Sequence, residues 1–247
     1  YKRNMTKNLA IILAAGKGSR MKSDIPKPLH LIDGKTMIYT LVEKIFNNEL
    51  FEKILVVVGT DSNGIRNNLD EFKSKIIYII QNEQLGTGHA VKYCENYLRG
   101  FRGYRSLILF ADCPLLSINT LNSIIQNEGD CIACICNKDN PFGNGRIILD
   151  NNGYIINSIE EEDCSIEEKK IQLVNVGIYF IKNSLIISYI HQIKNDNSQN
   201  EYYLPDLMMI LVEHGYKIVP KILKNQDELI NINTQVDLLL ANRVRRF

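Results

Sequence analysis

Two glycines, a lysine and an arginine follow directly on an apolar run in the stretch LAAGKGSRM, which ends at Met21. Gly16 and Gly18 let the backbone approach a bulky anion and present N–H groups to it, the nest arrangement that holds phosphate. Lys17 and Arg20 bring the positive charge such a ligand needs. A little further on, PKPL holds Lys27 between Pro26 and Pro28, and each proline narrows the backbone around it, so the lysine sits on a stiff turn. The stretch is not the dinucleotide fingerprint, because Met21 stands where the third glycine would fall. It also lacks the G-K-[ST] ending of a Walker loop. On spacing alone, phosphate binding and a tight structural turn are equal readings.

Two further stretches carry chemistry. RSLILFAD ends an apolar run on Asp112, a carboxylate suited to hold Mg2+ against phosphate oxygens. QNEQLGTGHAV, residues 81–91, offers amides that pair with the edge of a base and glycines that let a base lie against backbone. The same stretch also reads as a helix start with Thr87 as its cap. The four histidines, His30, His89, His191 and His214, are scattered, and no Ser-His-Asp or Cys-His arrangement suggests a covalent intermediate.

The elements that must position these residues follow from periodicity. Continuous apolar strands are expected over residues 9–16, 53–60, 74–80 and 105–112. Helices alternate with them over 36–50 (Thr36 as its N-cap), from about 88 to 100, and over 117–127. Continuous apolar strands alternating with helices indicate a parallel sheet covered on both faces, and ligands bind beyond the carboxyl ends of such strands. The first strand ends at Gly16, so residues 17–21 fall at that crevice. From about residue 130 short strands follow one another, CIACIC, GRIILD, YIINSIEE and VNVGIYFI, with NPFGNG and DNNG as turns, which predicts an antiparallel extension. Helices over 182–194 and 205–214, a strand over 217–222 and a last helix from about 234 complete the pattern.

Composition narrows the partners. The chain has 247 residues, 45% hydrophobic and 23% charged, and a formal net charge of +1, so neither nucleic acid nor an anionic membrane surface is an expected partner. No run approaches the roughly 20 apolar residues of a membrane span. The opening YKRNMTKN is too short and polar for a signal peptide, and the residues before Met5 read either as an upstream extension or as an added remnant. The six cysteines are then expected to be reduced thiols in the cytoplasm. Cys131, Cys134 and Cys136 contain a C-x-x-C, but they lie in an apolar strand with no second ligand pair, so small buried hydrophobes is the favoured reading over a metal or redox site.

Taken whole, LAAGKGSRM followed by IPKPL resembles the signature L-A-A-G-x-G-[TS]-R-M…P-K of nucleotidyltransferases that make nucleotide-sugars. The QLGTGHA segment closely resembles that of the bacterial uridylyltransferase acting on N-acetylglucosamine 1-phosphate, the N-terminal half of a bifunctional enzyme whose other half is a β-helix acetyltransferase. The resemblance implies a Rossmann-like nucleotide-diphospho-sugar transferase fold of the α/β class, with a mostly parallel central sheet and a small antiparallel β lobe. It implies a nucleotidyltransferase domain over residues 5–233, its sugar-binding lobe at about 130–181, and a C-terminal helix over 234–247 leading towards a missing domain.

Site roles follow by resemblance, residue by residue. Leu13, Ala14, Ala15, Gly16, Lys17 and Gly18 would line the nucleotide, with Arg20 and Lys27 gripping phosphate as catalytic cations. Gln81 and Gly86 would read the uracil edge with Thr87 adjacent, and Gln84 and Phe110 would bind the nucleotide or substrate. Asp112 and Asn233, the latter in NINTQVDL, would hold Mg2+. NPFGNGRI, INSIEEED and LVNVGIYF would supply Gly145, Glu160 and Asn175 to the sugar. Ala111, Val176 and Pro205 depart from the family's glycine, threonine and threonine. The implied reaction joins UTP and N-acetylglucosamine 1-phosphate into UDP-N-acetylglucosamine and pyrophosphate. Another sugar 1-phosphate or nucleotide, or a non-catalytic nucleotide-sugar-binding module, are the alternatives. No hexapeptide repeats are present, so acetyl transfer is not expected, a monomer is favoured, and the chain is either a standalone transferase or a truncated one.

Overall fold

The computed structural model describes residues 7–244, so Met5 and the extreme C-terminus of the expected last helix lie outside the described residues. Along the chain run β1 (Asn8–Leu13), β2 (Leu31–Ile32), β3 (Lys35–Thr36), α1 (Met37–Phe46), β4 (Phe51–Val58), α2 (Asn63–Asn68), β5 (Ile76–Ile80), α3 (Thr87–Lys92), α4 (Glu95–Gly100) and β6 (Arg105–Phe110). Then come α5 (Ile118–Ile125), β7 (Cys131–Asn137), β8 (Arg146–Leu149), β9 (Ile155–Ile159), β10 (Leu173–Lys182), α6 (Asn183–Tyr189), α7 (Pro205–Glu213), β11 (Ile218–Ile222) and α8 (Gln235–Val244). These elements form two units. The first takes the described residues up to Gln84, Leu109–Asn122 and those from Asn225 on; the second takes Leu85–Ile108 and Ser123–Lys224.

In the first unit β1, β4 and β5 are parallel, with Leu13 opposite Val57 and Val58 opposite Ile80. Every residue of β1 is buried, as strands covered on both faces must be. Helix α1 begins where expected: the Thr36 hydroxyl accepts the Tyr39 N–H at 3.1 Å. Its buried side chains Met37, Ile38, Leu41, Val42 and Ile45 contribute roughly 1.5–3 kcal/mol each when removed from water. It ends at Phe46 rather than near residue 50. The side chain of Asn48 accepts the N–H of Leu50, turning the chain so that Phe51 joins β4 early. Helix α1 also fastens the loop after Asp112, since Lys44 Nζ donates to the carbonyls of Pro114 (2.7 Å) and Leu116 (2.6 Å). A two-stranded antiparallel sheet, β2 with β3, adjoins α1.

The second unit is a mixed sheet. The initial residues of β6 pair antiparallel with β10, β10 antiparallel with β7, and β9 antiparallel with both β11 and β8. β11, however, runs parallel to β7. The four short strands expected to pair antiparallel do so; β11, for which no direction was expected, returns parallel to β7 because α6 and α7 intervene and a crossover of that length allows it. The expected helix over 88–100 is two helices. The Cys94 N–H bonds to the Val91 carbonyl, one residue tighter than α-helical spacing, and α4 starts afresh after it. The helix expected over 182–194 likewise ends at Tyr189 and tightens into a 3-10 turn, Ile190–Gln192. Cys131, Cys134 and Cys136 are buried within β7, and burial pushes the Cys131 thiol up to about 12, so it packs as a small neutral side chain.

Candidate active site

The first unit assembles a cationic and oxygen-rich cluster beyond the carboxyl ends of its strands. Leu13, Ala14 and Ala15 are buried, and Gly16 and Lys17 emerge into solvent. Ala14 donates to the Val57 carbonyl and Ala111 to the Leu13 carbonyl, so the chain segment carrying Phe110 and Asp112 is tied to the end of β1. Gly18 takes φ 63°, the left-handed conformation open to glycine. A β-carbon added there would lie 2.6 Å from the Lys27 Cβ, so the absent side chain makes room for that lysine. Lys27 opens a short 3-10 turn, Lys27–Leu29, with Pro26 as its cap and Pro28 inside it, as the two prolines suggested.

Four residues far apart in sequence meet here. Lys27 Nζ donates to Asp112 Oδ2 at 2.5 Å and to Asn233 Oδ1 at 2.7 Å, and Arg20 Nη2 donates to the same Asn233 oxygen at 3.1 Å. The approach is built by backbone: the Ile232 N–H donates to the Asp112 carbonyl at 3.0 Å. Ile232 is itself buried with Ile32, Met37 and Ala241. Asn233 is then oriented by Asp237, whose Oδ2 accepts the N–H of Asn233 (3.0 Å), the N–H of Thr234 (2.8 Å) and its hydroxyl (2.9 Å). The T-Q-V-D spacing, with the Asp237 N–H returned to the Thr234 hydroxyl, is a capping box that opens α8. That signature was readable in the sequence and was passed over. Gln235 Nε2 also holds the Met21 carbonyl, fastening the glycine-rich loop to this helix.

Gln81 and Gln84 belong to this first unit as well. Gln81 is buried where β5 ends and its N–H bonds to the Val58 carbonyl. The Gln84 amide lies so near Gly59 that a β-carbon there would come within 3.0 Å of its Nε2. Gly59 is a further residue of the crevice rim that sequence reasoning did not single out, although it directly follows the apolar run of β4.

The second unit holds Gly86 and Thr87 in a backbone clasp. Leu85 accepts the Tyr202 N–H and Gly88 donates to the Tyr202 carbonyl, each at 2.8 Å. Gly86 takes φ 112°, and a β-carbon on it would meet Tyr202 O at 2.6 Å and Tyr202 N at 2.8 Å. The stretch does start a helix, as its alternative reading had it, but Thr87 is not the cap. It is the first residue of α3, and its hydroxyl accepts the Leu204 N–H at 2.9 Å instead. The segments LGTG and EYYLPD are thus folded against each other, a contact no sequence spacing announces.

In the same unit the expected sugar contacts converge. The Asn175 N–H bonds to the Gly145 carbonyl at 2.8 Å, and a β-carbon on Gly145 would stand 3.4 Å from the Glu160 carboxyl. Asn175 lies at a bulge of β10, where the register breaks before Tyr179 and Gly177 takes φ 78°. Its amide oxygen accepts the Gly177 N–H (2.9 Å) and its amide nitrogen donates to the Tyr179 hydroxyl (2.7 Å), fixing the side chain. Burial first, then Glu162, Asp206 and Asp163, push the Glu160 carboxyl up to about 7. Burial also lifts Asp206 to about 6, with Asp196 and Asp163 adding repulsion.

Arg146 is the organiser that sequence reasoning missed. Its guanidinium is 1% exposed and pairs with Glu161 Oε2 at 2.7 Å; it also donates to the Asn144 and Lys169 carbonyls. The same Glu161 oxygen accepts the Gly143 N–H. An arginine opening the apolar run RIIL was the available signal, since a charge there must find a buried partner.

Among the described residues no helix is long and apolar enough to cross a membrane, and no cluster of three His, Cys, Asp or Glu forms a metal centre. Comparison with known proteins places these features. The sequence pattern of the MobA-like NTP transferase domain matches residues 10–198. The bifunctional protein GlmU of Staphylococcus carnosus (strain TM300) is 35% identical over 96% of this chain, and that of Clostridium novyi (strain NT) 36% identical over 96%. In both cases the matched region is 52% of the relative, so the chain spans about half the length of the curated relatives it matches. Among solved structures, a UDP-glucose pyrophosphorylase complexed with UDP-glucose superposes with a TM-score of 0.76, at 18% identity, over 97% of this chain and 98% of that one.

Proposed function

As the chain belongs to the MobA-like NTP transferase family, we propose that it is a uridylyltransferase joining UTP and N-acetylglucosamine 1-phosphate into UDP-N-acetylglucosamine and pyrophosphate. The observation that carries this reading is the convergence of Arg20, Lys27, Asp112 and Asn233 at the carboxyl ends of a parallel sheet. Two cations for phosphate and two oxygens for a divalent ion are the parts a nucleotidyl transfer requires.

An oxygen of the sugar phosphate attacks the α-phosphorus of UTP, and the bond from that phosphorus to the β-phosphate bridge breaks, releasing pyrophosphate. The nucleophile is already ionised at neutral pH, so no protein base is needed. Gly16, Lys17 and Gly18, on the exposed loop, hold the triphosphate through backbone N–H groups and charge. Arg20 and Lys27 neutralise negative charge that develops on the leaving pyrophosphate. The carboxylate of Asp112 and the amide oxygen of Asn233 are hard oxygen donors, and their convergence on one ammonium supports the reading of this pair as the holder of a small cation such as Mg2+. When bound there, the ion supplies charge neutralisation to the reacting phosphates.

In the first unit Gln81 is assigned to the uracil and Gln84 and Phe110 to the nucleotide; in the second, Gly86 is likewise assigned to the uracil and Thr87 to the nucleotide. Gly145, Glu160 and Asn175 hold the sugar, Asn175 offering the second hydrogen of its amide nitrogen. Helix α8 belongs with the transferase machinery, since it packs Ala241 against Ile32, Met37 and Ile232 and its Gln235 holds the Met21 carbonyl.

Pyrophosphate release with Mg2+ tests the proposal, crossing the four common NTPs with several sugar 1-phosphates. Signal confined to UTP with N-acetylglucosamine 1-phosphate supports it. Signal with another pair moves the specificity, and Asp112→Ala retaining normal kcat removes the site.

A further inference from the structure

We propose that in the free protein Lys27 fills the cation position of Asp112 and Asn233, so that a divalent ion enters only when nucleotide phosphate draws the lysine away. The inference rests on the reading of those two residues as a metal-binding pair. One ammonium lies 2.5 Å from the Asp112 carboxylate and 2.7 Å from the Asn233 amide oxygen, and Arg20 adds a second positive group to that amide oxygen. A magnesium ion takes its oxygens at about 2.0–2.1 Å, so an ion shared by these two would need the space the ammonium holds. The lysine and aspartate side chains are only 15% and 16% exposed, so solvent screens their attraction incompletely.

The lysine cannot yield by moving its backbone. Pro26 and Pro28 flank it, its residue opens a 3-10 turn, and the missing side chain of Gly18 is filled by its own Cβ. It yields by turning its flexible four-carbon stem, and an ammonium leaving a carboxylate needs another anion. The exposed glycine-rich loop, directly against Lys27 through Gly18, is where the triphosphate of the proposed substrate would bring one. Lys27 thus couples metal entry to nucleotide: the free protein holds its own cation, and phosphate exchanges it for a divalent one.

The test uses Mn2+ alone as the probe, followed by electron paramagnetic resonance on the full chain without nucleotide. Lys27→Met and Lys27→Gln should each bind Mn2+ at least about tenfold more tightly than the unmodified protein, a difference of about 1.4 kcal/mol. Adding Asp112→Asn to either should erase the gain, and Lys22→Gln, which removes equal charge from the same region of sequence, should produce none. Equal affinity of the unmodified protein and the Lys27 variants overturns the proposal, as does an equal gain from Lys22→Gln. Circular dichroism on every variant confirms that it is folded, and Mn2+ binding by the unmodified protein that is lost in a folded Asp112→Asn and is no weaker than in the Lys27 variants overturns the proposal. Pyrophosphate release is read separately, so an active enzyme with equal Mn2+ affinities overturns this inference and leaves the transferase reading standing.

Discussion

The backbone N–H of Ile232 donates to the carbonyl of Asp112 at 3.0 Å, and this single bond sets Asn233 beside a carboxylate far from it in sequence. The bond is directional and belongs to backbone, so it needs no hydrogen-bonding group on either side chain, while burial of Ile232 with Ile32, Met37 and Ala241 holds the segment in place. What the side chains add is orientation, and that can be removed piece by piece.

Asp237 is the first such piece. Asp237→Ala strips acceptors from Asn233 and Thr234, and loss of the helix cap should cost about 1 kcal/mol of stability, seen as a lower Tm. Freed from its turn, Asn233 should also lose alignment, so kcat for pyrophosphate release should fall further than stability alone explains. Unchanged kcat would show that the capping box serves only α8.

Gly18→Ala introduces a β-carbon 2.6 Å from that of Lys27 and forces alanine into left-handed backbone, a strain of about 1–2 kcal/mol. Lys27 must shift, so activity should fall at least about tenfold while the protein remains folded. Circular dichroism and a pyrophosphate assay on the same sample check both halves.

In the second unit, Gly86→Ala sets a β-carbon against backbone atoms of Tyr202, which have no rotamer to escape through. Destabilisation of about 2 kcal/mol or more is expected in urea melts. A neutral result would mean that the clasp between LGTG and EYYLPD opens easily.

Arg146→Met leaves the Glu161 carboxylate in a nearly closed environment without its partner, and breaking a buried pair costs about 3–5 kcal/mol. The double variant with Glu161→Gln should recover a substantial part of that loss. If the double variant is as unstable as the sum of the singles, the ion pair is not what holds the loops.

Glu160 predicts a pH dependence. Its carboxyl in the folded protein holds a proton up to about 7, whereas an unfolded glutamate releases it near 4.5. The folded state therefore binds more protons between these values, and stability is full below the lower one and declines as pH rises through the upper, by at most about 1.4 kcal/mol per pH unit. Glu160→Gln should remove this slope, so its Tm should gain on the unmodified protein between pH 5 and pH 8. A constant Tm difference across that range would contradict the shift.

What the sequence determined by itself was local. Apolar runs fixed β1 and β4 because a strand buried on both faces needs no alternation, and Thr36 announced α1 because a hydroxyl there satisfies an unpaired N–H. Glycines and prolines marked the turns that carry Lys17, Arg20 and Lys27, since their backbone limits are intrinsic. The resemblance of whole motifs then ordered the site residues along the chain. Tertiary structure alone decided what those residues meet. Lys27 reaches Asn233 across 206 residues, Thr87 bonds to Leu204 instead of capping its helix, and β11 lies parallel to β7. Each depends on which surfaces pack together, and spacing along a chain carries no information about a bond closed by a loop of that length.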